Sequence, residues 1–106
     1  MITITVKKRN NSYESFRSSG HAGYAAEGYD IVCAAVSALI INTVNSIEKF
    51  TDDSIEAEEK DRYVSFHFTK PVTEKGTLLM DSLVLGLTDI AHSYKNRYLT
   101  IKVKEV

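Results

Sequence analysis

The chain has 106 residues, 43% hydrophobic and 25% charged, with 13 Lys+Arg against 14 Asp+Glu for a formal net charge of −1. That composition belongs to a folded globular protein and excludes disordered and fibrous classes. Charge this close to neutral gives no bulk attraction to nucleic acid or to an anionic membrane, so neither is an expected partner.

Ile2, Ile4 and Val6 alternate with Thr3, Thr5 and Lys7, the pattern of a half-buried strand. Lys7 and Lys8 follow the apolar residues, the reverse of a secretory signal. Arg9-Asn-Asn-Ser12 reads as a turn, because Asn tolerates left-handed backbone, and Tyr13 to Ser18 as a return strand. Ser19 to Tyr29 holds Gly20, Gly23 and Gly28, three of the five glycines. Such a small-residue loop in a compact chain is functional or mobile. Asp30 is read as the N-cap that ends it.

From Ile31 to Phe50 the spacing predicts a helix, with Val32, Val36, Leu39, Ile40, Val44 and Ile47 at three- and four-residue steps. Its first half is apolar or small all round, which predicts cover on several sides. The most apolar window, Ile31 to Ile41, is far shorter than the ~20 residues that cross a bilayer. A second hairpin is expected from Ser54 to Glu58 and Arg62 to Phe68 around Glu59-Lys-Asp61. A second helix opens at Thr73 or Glu74, buries Leu79, Leu83, Leu87 and Ile90, and is capped near Asn96. Tyr98 to Lys104 is a last strand with Leu99, Ile101 and Val103 inward. The order is ββαββαβ: one α+β domain over residues 1–106, a largely antiparallel sheet with two helices packed on it.

The single cysteine excludes an intramolecular disulfide and any CxxC motif. With no export signal, it fits a reducing cytoplasm. His21, His67 and His92 have no ligand spacing, so no metal or cofactor is expected. The acidic run Glu56, Glu58, Glu59 and Asp61 lacks the spacing of a calcium loop and reads as a solvated strand face and turn. The six tyrosines lack a basic stripe and read as core edge or interface.

With Asp30 as cap, Cys33 falls at the third helical position, where unpaired N–H groups and the helix dipole favour a thiolate. His21, in the glycine-rich loop, is a candidate general base for acyl transfer. The plainer reading stands beside it. A Cys among Val and Ala is commonly core filler, and a loop His is commonly a surface residue.

The segment Gly20-His-Ala-Gly-Tyr-Ala-Ala-Glu-Gly-Tyr-Asp-Ile-Val-Cys-Ala-Ala-Val-Ser-Ala-Leu39 resembles the signature of the bacterial ribosomal-processing cysteine proteases. The matching pattern is a Gly-His-Ala start, a short variable loop, then Gly-x-Asp-Ile-Val-Cys-Ala-Ala-Val-Ser. The resemblance implies a peptidase that removes the N-terminal extension of a large-subunit ribosomal protein, number twenty-seven. It cuts after a Phe-rich apolar stretch and before a small residue. It makes Cys33 the nucleophile and His21 the general base and acid. Asp30 and Ser37 fill the family's other polar positions, Asp30 as orienting group or helix cap, Ser37 as a neighbour of the thiol or a packing residue. Gly20 and Gly23 would let the loop move over bound peptide, for which Tyr24, Tyr29 or the second helix would supply an apolar pocket. A homodimer is also implied. Two rivals stand against this reading: a non-catalytic ribosome- or RNA-binding module, which needs a basic face, and a thiol redox sensor, which has no resolving cysteine here.

Overall fold

The structure, a computed structural model, describes residues 1–20, 27–60 and 63–106. The elements follow the expected order: β1 (Ile2–Arg9), β2 (Ser12–Ser19), α1 (Glu27–Phe50), β3 (Ile55–Lys60), β4 (Tyr63–Phe68), α2 (Glu74–Ser93) and β5 (Leu99–Glu105). They build a five-stranded sheet in the order β3-β4-β2-β1-β5. Every neighbouring pair is antiparallel except β1 with β5, which is parallel.

The first hairpin closes through Asn10 (φ 51) and Asn11 (φ 63). Two consecutive left-handed residues make the turn whose twist matches the flanking strands. The weak alternation of β2 has a cause. The register shifts between Lys7, opposite Ser15, and Lys8, opposite Tyr13, so Glu14 is the extra residue of a bulge. Tyr13 and Phe16, three apart, therefore both turn inward and are buried.

One face of the sheet carries the core. Ile4, Val6, Phe16, Phe66 and Leu99 from the strands meet Val32, Val36 and Ile47 of α1 and Met80, Leu83 and Leu87 of α2, all buried. Phe16 and Phe66 stack at 5.1 Å between centroids. The two helices lie together (an added Cβ on Gly86 would sit 3.0 Å from Leu39 Cδ1), which gives that glycine a packing role. Asp53 accepts bonds from Thr73 N and Oγ1 at 2.8 and 2.6 Å. Thr73 Oγ1 in turn accepts from Gly76 N, capping α2 as expected. At the other end Asn96 N–H reaches Ala91 O and Lys95 N–H reaches His92 O, with Lys95 and Asn96 both left-handed. This is a Schellman closure.

Five expectations are corrected. Helix α1 begins at Glu27 rather than Ile31, so Asp30 is a helical residue and not an N-cap. Glu is a good helix former and favourable in a first turn, and one glycine at position 28 costs only ~1 kcal/mol. The first half of α1 is covered on one side only: Ala34 and Ala38 are exposed, and Ile31 is 57% and Ile41 60% exposed. Residues Ile31–Phe50 together are long and apolar enough to cross a bilayer by length and composition alone, which the shorter window missed; here Val32, Val36, Ile40 and Ile47 face the core. Val103 is 53% exposed although its register partner Val6 is buried, because the helix layer stops short of that corner of the edge strand. The second hairpin also runs further than expected, β3 continuing two residues past Glu58 to Lys60, which pairs with Tyr63.

Candidate active-site groove

Helix α1 forms one wall of an open groove of about 570 Å³. Cys33, Ser37, Ile40 and Val44 recur along it at three- and four-residue steps and so share a face. The opposite wall and floor come from the sheet. Ile2, Ser18 and Gly20 lie toward its middle, and Val64, Ala57 and Glu59 reach the edge strand β3. Val64 pairs with both Ser18 and Glu59, and Ala57 with Phe66, so these residues form successive rows on the helix side of the sheet. β3 extends beyond the cover of the helices, and every residue from Glu56 to Lys60 is exposed. A small side chain at Ala57 keeps this ledge low.

Eleven residues of helix separate Cys33 from Val44, about 16 Å at 1.5 Å per residue. An extended peptide rises about 3.3 Å per residue, so the wall matches about five substrate residues. Cys33 itself is half-buried; it lines the groove and is not sealed in hydrocarbon. Ser37, one turn on, is exposed on the same groove. Gly20 lines it too, with φ +106 and a would-be Cβ only 2.2 Å from Met1 O. Only glycine fits that backbone, and it fixes where the chain leaves β2. His21, the next residue, lies outside the described residues, as do residues 22–26. Asp30 contributes its backbone to α1; its side chain also lies outside what is described.

The earlier start of α1 changes the chemistry assigned to its first turn. Cys33 is the seventh helical residue rather than the third. Unpaired N–H groups belong to the first four positions, and the dipole effect fades within that turn. Neither then activates this sulfur directly, nor supplies an oxyanion site beside it. The apolar pocket also differs from expectation. Helix α2 does not line the groove; Ile40, Ile41 and Val44 do, opposite Ala57 and Val64. Tyr24 and the side chain of Tyr29 lie outside the described residues.

At the rim, Lys60 Nζ meets Glu58 Oε1 at 3.1 Å. That hydrogen bond, with its charge attraction, lowers the Glu58 carboxyl and raises the Lys60 ammonium from their usual values. His67 and His92 are both exposed, on β4 and at the end of α2. The β3–β4 wall was not legible as part of a site. Its one sequence signal is Ala57, a small residue standing between Ile55 and Glu59 where a larger apolar one would be covered.

The family model described as "Cysteine protease Prp" matches residues 1–99. The ribosomal processing cysteine protease Prp of Mycoplasma pneumoniae is 34% identical over 96 residues, 89% of this chain and 87% of that protein. The crystal structure of SMU.848 from Streptococcus mutans superposes with a TM-score of 0.84 at 35% identity, covering 100% of this chain and 96% of the other. That of the essential ribosomal processing protease Prp from S. aureus, in complex with a covalently linked product peptide, has a TM-score of 0.88 at 23% identity, covering 98% and 100%.

Proposed function

The chain belongs to the Prp family and is a cysteine protease; from that premise we propose that it removes the N-terminal extension of the large-subunit ribosomal protein numbered twenty-seven. The carrying observation is a half-buried cysteine on a groove long enough for about five extended residues, with Gly20 on the same groove immediately before His21. The apolar stretch at Ile40, Ile41 and Val44 suits a substrate read by large apolar side chains. The covalently linked product peptide of the S. aureus relative supports a nucleophilic route.

In this reading Cys33 Sγ attacks the scissile carbonyl carbon and its proton passes to His21. The imidazolium protonates the departing amine as the C–N bond breaks, leaving a thioester on Cys33. His21 then takes a proton from water, the hydroxide adds to the thioester, and the carboxylic product leaves as the thiol is restored. With the helix terminus displaced from the sulfur, His21 carries the burden of making the thiolate. Net charge near zero adds no bulk repulsion to the approach of a peptide.

The test is mass spectrometry of a synthetic peptide spanning the extension, incubated with wild type, Cys33→Ala and His21→Ala. Wild type should cut once, between the Phe-rich stretch and the small residue, and both variants should leave the peptide whole. Cleavage by Cys33→Ala would discard the mechanism, and a cut elsewhere would discard the substrate. The homodimer implied by the family belongs to the same proposal. The exposed ridge of Ile31, Ala34 and Ala38 on α1 is an apolar stripe that a second copy would cover.

A further inference from the structure

Among the described residues, no layer covers the face of the sheet away from the helices. Its side chains fall into complete rows across the five strands. One row runs Glu56, His67, Ser15, Lys7, Lys104, and the next runs Glu58, Ser65, Arg17, Thr5, Lys102. Strand alternation has therefore sorted the charges. Lys7, Arg17, Lys102 and Lys104 share this face and are exposed. The carboxylates among the described residues of these rows stand only on β3, Glu56 at 3.5 Å from His67 and Glu58 beside Lys60.

Two observations go beyond a count of lysines. Lys7 and Lys104 are direct register partners on neighbouring strands, so two positive charges stand opposite each other, a pairing that repels. They also line a depression of about 350 Å³ with Arg17 and His67, alternating with the hydroxyls of Thr5, Ser15 and Ser65. Among the described residues, no carboxylate lines it. Cations interleaved with hydroxyl donors form a surface for phosphate oxygens. Beside it lies Tyr63, with the Arg17 guanidinium 4.9 Å from its ring centre, the aromatic companion found where single strands dock.

We propose that this uncovered sheet face docks the phosphate backbone of RNA, which would hold the protease on or near its ribosomal substrate. The proposal rests on the ribosomal-processing reading for its occupant, not for its chemistry. It departs from the expectation set by net charge, because a sum over the chain hides segregation between two faces. A second copy on this face is disfavoured, since lysine is depleted at such interfaces.

The experiment is fluorescence anisotropy of a labelled 20-nucleotide single-stranded RNA against the full chain at several salt concentrations. Four phosphate contacts at a slope of about −0.7 each predict binding about 50-fold weaker at 200 than at 50 mM salt. Lys104→Ala should reduce that ratio to about 18-fold, one contact fewer, and so should Lys7→Ala. Lys75→Ala, on α2, should change nothing. Cys33→Ala should bind as wild type does, and Lys104→Ala should still cleave free peptide. An inactive protease that binds RNA therefore sinks only the peptidase reading, whereas an active one that does not bind sinks only this inference. No binding at 50 mM salt, a salt ratio unmoved by the lysine variants, tighter capture by phosphatidylglycerol vesicles than by RNA, or a change of oligomeric state in Lys104→Ala would each overturn it.

Discussion

Replacing Gly20 by alanine tests how the fold positions the groove. Gly20 has φ +106, and a Cβ there would lie 2.2 Å from Met1 O and 3.1 Å from Ile2 Cα. Met1 O immediately precedes β1 and Ile2 Cα is its first residue, and the peptide joining them is held by the Ile2 N–H donating to Tyr98 O at 2.9 Å. The strained dihedral costs about 1–3 kcal/mol and the forced displacement about 1–3 more, for a total of about 2–6. At ~2.1 cal/mol/K per residue, a chain of 106 residues has an unfolding entropy of about 0.22 kcal/mol/K. Each kcal/mol then lowers Tm by about 4.5 °C, and Gly20→Ala should melt about 9–27 °C below wild type by calorimetry. Gly86→Ala is the control. Its new Cβ meets only the tip of Leu39 at 3.0 Å, and the gain of about 1 kcal/mol in helix propensity offsets the contact, so its Tm should stay within about 4 °C. Peptide cleavage measured well below both melting points should fall in Gly20→Ala and not in Gly86→Ala, because only Gly20 borders the groove and His21. A Gly20→Ala protein that melts within 2 °C of wild type would refute the argument.

Ala57→Trp puts an indole on the floor of the groove from an exposed edge strand. KM for the extension peptide should rise about tenfold or more with little change in Tm; unchanged kinetics would mean that the peptide lies elsewhere. Ala38→Arg places a charge in the exposed apolar ridge of α1, and sedimentation velocity should show a dimer for wild type and a monomer for the variant. A monomeric wild type removes the dimer from the proposal. Tyr13 donates its hydroxyl to Asp81 Oδ1 at 2.5 Å from a buried position. Burial first, then that bond to a carboxylate, raises the phenol above its usual value of about 10. The folded state thus keeps a proton that the unfolded state loses above about pH 10, so this stability is full below pH 10 and declines as pH rises past it. Tyr13→Phe should cost about 1 kcal/mol at pH 7 and flatten the alkaline limb of the urea-midpoint profile; an unaltered limb would mean that another group controls it.

The order of elements, the Asn10–Asn11 turn and the closure of α2 at Asn96 were all legible in the chain, because each follows from periodicity or from backbone preferences of nearby residues. The family was legible as well, since its signature is the contiguous run from Gly20 to Leu39. The beginning of α1 was not. Gly28 and Asp30 favour a loop and a cap by their own propensities, yet the helix continues back to Glu27, where a small local cost is outweighed by favourable neighbours. The groove was half legible. Cys33 and Ser37 are one turn apart in sequence, but Ile2, Ala57 and Val64 join them only because the sheet folds in the order β3-β4-β2-β1-β5. The charge on the open face follows the same logic. Alternation along each strand sends Lys7, Arg17, Lys102 and Lys104 to one side, but only the pairing of β5 beside β1 brings Lys104 next to Lys7. Local preferences act within a few residues and can be read along the chain; adjacency across a sheet is decided by long-range pairing, which no single segment encodes.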